Sequence, residues 1–476
     1  MTSRHIAVLG GGITGLTVAY RLLSSDKREG LSVTLIEAKP RLGGNIITER
    51  RDGFVVDGGP DSFVAAKPQA TALCKELGLG SRLITTTEKN RRVYLLRHDK
   101  LHSLPEGLVL TIPTRFLPFA TSPIFSWRGK ARMGLDLALP RRPNTQGDES
   151  VGSFVRRRLG QEAVDVLADP LLGGIYAGDI EKLGIRSTFP QLAELEDKHG
   201  SLIRGALAQR RKAVRGAPPP SPFHSLEGGM GELVDALEAS IRKAGGNIIV
   251  GAPIISMAPP SERSSGRWTL RFRSSDGAEE SLIVDGVVMT TPAHVAASVC
   301  EPFDAELGDM LRGIPYLSTA TVALAYPRSA VPHPLDAVGI IIPKDERRRI
   351  LAATFISSKW KARAPEGSVL LRVFVGGHRD PSRLASTDDE LASLAREELG
   401  RLLGVQAEPL FTRVFRYDQA NAQPIVGHAD HVQRIRQRAE RHPGLWFAGA
   451  AFDGVGIPDC VRQANDAAEL VLRSKI

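Results

Sequence analysis

The stretch HIAVLGGGITGL, residues 5–16, carries a short apolar run that meets a glycine cluster. A helical stretch follows at residues 16–23, and a second apolar run at residues 31–36 ends in Glu37. Strand, glycine turn, helix, strand and terminal acid, in this order, predict a βαβ unit that binds a dinucleotide. The fold class that follows is α/β, with a Rossmann-like lobe.

The residue types of this unit explain its binding chemistry. Gly10 permits the tight turn, Gly12 lets the backbone approach a pyrophosphate, and Gly15 lets the helix lie close to the sheet. The helix N-terminus presents free N–H groups to the phosphates. Glu37 stands where a carboxylate accepts hydrogen bonds from ribose hydroxyls, which argues against NADP. An ordinary glycine-rich turn is the alternative, and the register of strand, helix and acid disfavours it.

Length and charge limit the kinds of partner. A chain of 476 residues should form two or three lobes. Its net charge of +9 raises the question of an acidic partner, but the basic clusters are short, scattered and without interleaved aromatic residues. We therefore expect no nucleic acid. Most clusters are interpreted as solvated faces, with an anionic small molecule or an anionic membrane surface as the alternative.

Cysteine usage and hydropathy indicate the compartment. Cys74, Cys300 and Cys460 are far apart, which argues against a disulfide framework, a zinc site and a dithiol reductase. The first strand begins within four residues of the N-terminus, so we expect no signal peptide, and no apolar run reaches transmembrane length. The predicted location is the cytoplasm, with loose peripheral membrane association as a further option.

The remaining chain predicts insertions in the dinucleotide lobe. Two more glycine pairs, at residues 43–44 and 58–59, suggest that further backbone approaches an extended ligand. Strand-like runs and one helix with a Thr387–Glu390 capping box predict a mixed sheet that walls a substrate pocket. The predicted division is a dinucleotide lobe at 1–66, 225–298 and 411–476, a substrate lobe at 67–104 and 299–410, a mainly helical lobe at 105–212, and a Pro-rich linker at 213–224.

These residues carry a family resemblance. The pattern E-x-x-x-R-x-G-G at residues 37–44, after GxGxxG, is similar to the flavin-binding pattern of the amine oxidase and phytoene desaturase superfamily. Together with GPDSF at 59–63 and GIYAGD at 174–179 followed by TFP at 188–190, it resembles the oxygen-dependent porphyrinogen oxidases of haem biosynthesis. Several stretches, including GKARM at 129–133, look more like the soluble Gram-positive branch, which oxidises coproporphyrinogen III.

Motif and resemblance together imply FAD as the cofactor. A second glycine-opened helix, near residues 454–457, is predicted to point its N-terminus at the flavin ring, unless it is a plain packing helix. The expected FAD-binding residues are Gly10, Gly11, Gly12, Ile13, Thr14, Gly15, Glu37, Ala38, Arg41, Gly44, Asn45, Gly59, Pro60, Asp61, Ser62, Ile254, Gly449, Val455, Gly456 and Ile457.

The resemblance also implies the reaction. A porphyrinogen would be dehydrogenated in three two-electron rounds, flavin N5 would accept the hydride, and oxygen would be reduced to hydrogen peroxide. Because aromatisation drives the reaction, no protein residue is predicted to be catalytic. This agrees with a sequence in which no Ser/His/Asp set and no paired carboxylates stand out.

Substrate contacts follow from the propionates of a porphyrinogen. The resemblance places Lys67 and Arg92 near the pocket mouth, and a shift of one residue would put Arg91 in place of Arg92. It places Gly339, Ile341 and Phe374 on the apolar wall. If the resemblance is set aside, the cations are interpreted as exposed surface charges and the apolar residues as part of the sheet core.

Other functions remain open at this point. Protoporphyrinogen IX is the alternative substrate, and an amine oxidase or carotenoid desaturase would share the flavin motifs. A flavin-bound scaffold or redox sensor is the non-enzymatic alternative. The expected partners are the porphyrinogen, oxygen and a downstream haem-pathway enzyme.

Overall fold

The computed structural model describes residues 4–26, 29–87, 92–143, 147–212, 221–264 and 266–474. Arg91 and residues 213–220 of the predicted linker lie outside these ranges. Within them, the chain forms a parallel sheet, a larger mixed sheet and a helical region. The predicted α/β fold, with a Rossmann-like lobe interleaved with a mixed sheet and a helical lobe, is confirmed.

A five-stranded sheet, in which every pair is parallel, forms the centre of the first lobe. In spatial order its strands are Asn247–Val250, Leu31–Glu37, Arg4–Leu9, Gly286–Met289 and Leu445–Phe447. Ile6 and Val8 pack into one hydrophobic cluster, whereas Ala7 and Leu9 pack into another on the opposite face. This alternation explains the continuous apolar run, because a parallel sheet is covered on both faces.

Helices cover both faces of this sheet. The first face carries Ile13–Ser24, Pro68–Glu76, Gly231–Lys243 and Ile457–Arg473. The second face carries Ala293–Cys300, Ala305–Arg312, His428–Ala439 and an antiparallel sheet of Ile254–Ala258, Trp268–Arg273 and Glu279–Val284. The carboxyl ends of the parallel strands meet at one edge, where a ligand crevice is expected in this kind of fold.

A seven-stranded mixed sheet forms the second lobe. In spatial order its strands are Phe411–Ala422, Tyr316–Pro327, Ser368–Gly376, Ala352–Phe355, Gly339–Ile341, Tyr94–Arg97 and Lys100–Ser103. The helix Asp388–Leu403 packs on one face, begins with the predicted capping box and ends at Gly404, whose φ is +74°. Separate segments of the chain therefore build one sheet.

One predicted boundary of this lobe is wrong. Phe411–Ala422 was assigned to the dinucleotide lobe, but it pairs antiparallel with residues 316–325 of the strand Tyr316–Pro327. Its alternate residues Phe411, Phe415 and Tyr417 are buried in the cluster on the sheet face that also contains Phe54. The alternating burial of its side chains therefore places this strand in the mixed sheet, and the chain returns to the first lobe later than predicted.

The helical region has its own hydrophobic cluster, and Ser150 caps one of its helices. Its helices are Phe116–Thr121, Trp127–Gly134, Leu135–Leu137, Val151–Leu159, Gln161–Ala163, Val164–Gly173, Gly174–Tyr176, Ile185–Thr188, Pro190–His199 and Leu202–Lys212. Two short strands, Leu108–Val109 and Ile112–Pro113, pair beside them. No helix in the described part of the chain is both long and apolar enough to cross a membrane.

Short elements join these regions. The paired strands are Thr48–Arg51 with Phe54–Asp57, and Phe223–Leu226 with both Phe63–Val64 and Leu83–Thr85. The single turns are Gly80–Arg82, Glu262–Ser264, Arg328–Ala330, Lys344–Glu346, Ile356–Lys359 and Pro381–Ala385. The predicted linker therefore ends too late, because its last two residues, Phe223 and His224, already belong to a strand.

Candidate cofactor and substrate site

The glycine turn lies at the carboxyl edge of the parallel sheet. Gly10 has a φ of +109°, and a Cβ on Gly15 would lie 1.9 Å from the Gly10 carbonyl oxygen. A Cβ on Gly12 would meet no atom closer than 4.0 Å, so this residue faces open space. The helix Ile13–Ser24 begins after Gly12 without a side-chain cap. The turn therefore leaves a helix N-terminus accessible to an anion.

Glu37 ends the second strand beside this turn. Its carboxylate accepts hydrogen bonds from the backbone N–H groups of Gly11, at 2.6 Å, and Lys39, at 2.8 Å. A carboxylate offers about four acceptor positions, which leaves capacity for ribose hydroxyls. The Ala252 N–H donates to the Glu37 carbonyl at 2.9 Å and brings the strand that begins at Ile254 to the same edge.

The loop after Glu37 packs onto the glycine turn. Gly43 has a φ of +97° and donates its N–H to the Gly11 carbonyl at 2.8 Å. A Cβ on Gly44 would lie 3.1 Å from the Gly12 Cα. Arg41 does not extend from the loop, because its guanidinium donates to the Gly44 carbonyl at 2.8 Å. Arg41, which was predicted to bind FAD, therefore shapes the loop beside the glycine turn.

A buried cluster of ion pairs supports the GPDSF loop. Lys359 Nζ lies 2.9 Å from Asp61 Oδ1, and the Arg372 guanidinium lies 3.1 Å from Asp61 Oδ2. Arg372 also donates to the carbonyls of Asp57, at 2.8 Å, and Gly59, at 2.6 Å. Burial alone would raise the pKa of Asp61, but Lys359 and Arg372 hold it well below its usual range. Asp61 is therefore a charged support of the loop.

Sequence analysis missed both cations of this cluster. They lie about 300 residues from Asp61 along the chain, so no local motif contains them. The one signal was Arg372 itself, a charged residue within the apolar run VLLRVFV at 369–375. A charge in a buried strand needs a partner, and Asp61 is that partner.

The C-terminal turn closes another side of the site. Gly449 has a φ of +135° and donates its N–H to Gln463 Oε1 at 3.2 Å. The helix Ile457–Arg473 begins after Gly456 without a side-chain cap. Both oxygens of Asp459, in its first turn, lie 2.7 Å from Lys67 Nζ. The predicted substrate cation Lys67 therefore neutralises a carboxylate at this helix start.

A cavity of about 590 Å³ joins these elements, and most of its wall is apolar. It brings together eleven of the predicted site residues: Asn45, Gly59, Pro60, Asp61, Ser62, Lys67, Ile341, Phe374, Val455, Gly456 and Ile457. Residues expected to contact the cofactor and residues expected to contact the substrate thus share one space. The predicted phosphate-binding and ribose-binding residues lie outside it, at the sheet edge.

Two predicted substrate residues are not brought to this wall. The Arg92 guanidinium lies 3.8 Å from Asp336 with its side chain 65% exposed. Gly339 packs against the neighbouring strand, where a Cβ would lie 2.3 Å from the Ala353 carbonyl oxygen. Sheet pairing explains the position of Gly339, while Arg92 precedes the strand Tyr94–Arg97 and extends to solvent.

The segment that carries the family signature forms part of the cavity wall. Residues 174–178 follow the π-helix Val164–Gly173, which contains Pro170, and proline cannot donate a helical hydrogen bond. Ala177 has a φ of +48° and accepts a hydrogen bond from the His378 N–H at 2.8 Å. The signature therefore shapes the place where the helical region meets the mixed sheet.

A buried hydroxyl group on the wall lacks a partner. Tyr417 Oη forms no hydrogen bond within the described residues, and a Cβ on Gly59 would lie 3.0 Å from it. Burial raises the pKa of this phenol, so it stays protonated. A free donor and glycine backbone at an apolar cavity fit a flat ligand with polar edges, such as a flavin ring.

The profile of the family described as flavin containing amine oxidoreductase matches residues 13–472. The chain belongs to this family. A coproporphyrinogen III oxidase of Bacillus subtilis is 35% identical over 98% of this chain and 97% of that protein. The enzyme of the same name from Staphylococcus aureus is 34% identical over 99% of both chains. Protoporphyrinogen oxidase 1 of Spinacia oleracea is 32% identical over 98% of this chain and 83% of its own.

Solved structures of this flavin family have the same fold. A provisionally assigned protoporphyrinogen oxidase from Exiguobacterium sp. 255-15 superposes with a TM-score of 0.86, at 32% identity over 99% of both chains. A putrescine oxidase bound to putrescine superposes with a TM-score of 0.68 at 15% identity, which shows the fold alone. The protein is an FAD-dependent oxidase of the porphyrinogen oxidase group.

The described residues fit FAD. The uncapped helix start after Gly12 suits the pyrophosphate, the carboxylate of Glu37 suits a ribose, and the space beside Gly59 and Tyr417 suits the ring. When bound, the cofactor supplies the acceptor for a hydride. The protein itself would hold the cofactor and the substrate in place and exclude water from the site.

Proposed function

We propose that this protein oxidises coproporphyrinogen III to coproporphyrin III in haem biosynthesis. Six electrons and six protons leave the substrate and reduce three oxygen molecules to three molecules of hydrogen peroxide. The observation that carries the proposal is full-length identity of 32–36% to several coproporphyrinogen III oxidases. The apolar cavity where predicted FAD and substrate residues meet supports it.

The cavity wall supports a reaction that needs no protein base. No histidine lies among the described residues that line it. Its acidic groups all have cationic partners: Asp61 pairs with Lys359, Asp169 with Arg379 and Asp459 with Lys67. We infer that the wall orients the macrocycle and excludes water, while aromatisation of the product drives the chemistry.

The binding residues form part of this proposal. Lys67 would pair with a propionate, and Ile341 and Phe374 would contact the macrocycle, since all three line the cavity. The resemblance also predicts Arg92 and Gly339 as substrate-binding residues, but both lie outside the described cavity wall and could contact the substrate only from there. The proposal also includes the twenty residues predicted to bind FAD. It keeps the predicted lobe division, except that the boundary near residue 410 moves beyond Ala422.

Anaerobic flavin reduction tests the reaction. Coproporphyrinogen III added to the oxygen-free holoenzyme should bleach the flavin absorbance band within one mixing time, and oxygen should restore it. No bleaching with any porphyrinogen would contradict the oxidase and favour a flavin-bound scaffold. Bleaching by amines or carotenes instead would favour those substrate classes.

Protoporphyrinogen IX is the second candidate substrate. The Spinacia oleracea relative, named protoporphyrinogen oxidase, favours it. We expect coproporphyrinogen III to have the higher kcat/KM, because its four propionates suit a chain of net charge +9. Equal or better turnover of protoporphyrinogen IX at matched low concentrations would contradict this preference.

We also propose a cytoplasmic location with loose peripheral contact to an anionic membrane. Phe116, Leu117 and Trp127 in the helical region are 53%, 76% and 74% exposed. Lys130 Nζ lies 4.3 Å from the centre of the Trp127 ring. Aromatic and aliphatic side chains beside a cation suit a lipid interface. A downstream enzyme of the haem pathway is a further proposed partner.

Flotation with anionic liposomes measures this contact. The wild type should float in part, and Trp127→Ala should float less. Leu470→Ala is the matched control, because Leu470 is 57% exposed on the C-terminal helix, away from this patch. Equal flotation of wild type and Trp127→Ala would contradict the assigned surface.

A further inference from the structure

Three basic side chains line the cavity in the described chain: Lys67, Arg372 and Arg379. Arg372 is committed to the buried cluster, where it holds two backbone carbonyls and Asp61. Lys67 was expected from the family resemblance. Arg379 was not expected from any motif, and it lies on a wall that is otherwise mostly apolar.

The backbone fixes the position of Arg379. It follows the strand Ser368–Gly376 after a turn in which Gly377 has a φ of +65°. A Cβ on Gly377 would lie 2.6 Å from the Ala177 carbonyl oxygen, and the next N–H, that of His378, donates to that oxygen. The turn is therefore pressed against the signature segment, and it holds Arg379 where the mixed sheet meets the helical region.

The guanidinium has capacity for a further anion. Its Nη1 donates to the Ile342 carbonyl at 2.5 Å, and its Nη2 lies 2.6 Å from Asp169 Oδ2. The Arg379 and Asp169 side chains are 18% and 16% exposed, and both line the cavity. A guanidinium carries five N–H donors, so these two contacts leave donors for a carboxylate that enters the cavity.

Asp169 has a distinct part in this arrangement. It precedes Pro170 in the π-helix Val164–Gly173, and its carboxylate meets Arg379, which lies 210 positions later in the turn after the strand Ser368–Gly376. Its negative charge steadies Arg379 while the cavity holds no anion. The same charge repels a carboxylate that approaches the guanidinium.

We propose that Arg379 anchors a carboxylate of the substrate and that Asp169 both positions this arginine and weakens the anchor. The inference rests on the proposed function, because it takes the substrate to be a porphyrinogen with propionate groups. It assigns opposite effects to the two partners of one ion pair. If the ion pair had only a structural role, removing either partner would weaken substrate binding.

Steady-state kinetics of the holoenzyme with coproporphyrinogen III test the anchor. Arg379→Gln should raise KM roughly 10- to 100-fold, the loss expected for one charge-assisted hydrogen bond, and should change kcat much less. Arg379→Lys should restore part of the loss. Arg383→Gln is the matched control, because Arg383 pairs with Asp380 outside the cavity wall, and it should leave both constants unchanged.

Asp169→Asn provides the decisive measurement. The amide keeps an acceptor for Arg379 but removes the repelling charge, so coproporphyrin III should bind more tightly than to the wild type, as followed by porphyrin fluorescence. Weaker or unchanged binding would overturn the proposal, as would an Arg379→Gln variant that loses kcat with KM unchanged. A wild type that neither oxidises porphyrinogens nor binds coproporphyrin III would instead overturn the proposed function, and the anchor with it.

Discussion

We propose that the glycine turn and the cavity wall bind their ligands in different ways. The turn uses backbone N–H groups and the absence of side chains at Gly12 and Gly15. The wall uses side chains from distant segments, held by ion pairs such as Lys67 with Asp459 and Arg379 with Asp169. Backbone recognition is encoded locally, whereas side-chain recognition depends on the assembly of the whole fold.

The two regions should therefore fail in different ways. A change in the turn removes space that only glycine leaves, and the cofactor is lost outright. A change in the wall leaves the fold and cofactor in place but alters charge, so stability or substrate affinity changes by degrees. The buried ion-pair cluster of Asp61, Lys359 and Arg372 should give an intermediate result, because it supports both the GPDSF loop and the cavity wall.

The largest effect is expected at Gly15. Gly15→Ala places a Cβ 1.9 Å from the Gly10 carbonyl oxygen, so the helix must move away from the turn. The variant should lose FAD, measured as flavin absorbance per protein after gel filtration. Gly134→Ala is the control, since nothing lies within 4 Å of its Cβ, and it should keep FAD. Full retention of FAD by Gly15→Ala would refute the assignment of the turn.

Asp61→Asn should destabilise the protein strongly without touching the turn. It leaves Lys359 and Arg372 buried without their carboxylate, which costs about 3–5 kcal/mol in free energy of unfolding. Urea unfolding measures this cost. Asp309→Asn, at an exposed pair with Arg312, should change stability by less than about 1 kcal/mol. Similar costs for both variants would show that the cluster is not a support.

The pH dependence of that cost should follow the carboxyl group. The pKa of Asp61 is lowered in the folded protein, so its contribution is complete above the unfolded value of about 3.9 and is lost as pH falls towards the folded value. The stability difference between wild type and Asp61→Asn should therefore be constant from neutral pH to about pH 5 and shrink in stronger acid. A difference that grows on acidification would contradict this sign.

The smallest effect is expected at Lys67. This side chain is 51% exposed, so its loss should leave folding intact and raise KM for coproporphyrinogen III by roughly 3- to 10-fold. Lys198→Gln removes a comparable exposed ion pair, with Glu194, far from the cavity wall and should leave KM unchanged. Equal KM values for wild type and Lys67→Gln would remove Lys67 from the substrate site.

The accuracy of the sequence predictions follows the same contrast. The glycine turn, its following strand and the Thr387–Glu390 capping box were predicted because each depends on neighbours within a few residues. The strand Phe411–Ala422 was misassigned because its partner lies about a hundred residues away. Arg92 was expected at the cavity, whereas the structure directs it to Asp336.

By itself, the sequence determined the βαβ unit and, through its motifs, the flavin family. The tertiary structure decided which charges meet: Asp61 with Arg372, and Asp169 with Arg379. The physical reason is the range of each interaction. Turn geometry and helix starts are set by adjacent backbone, but a buried ion pair exists only after folding brings distant strands and helices together.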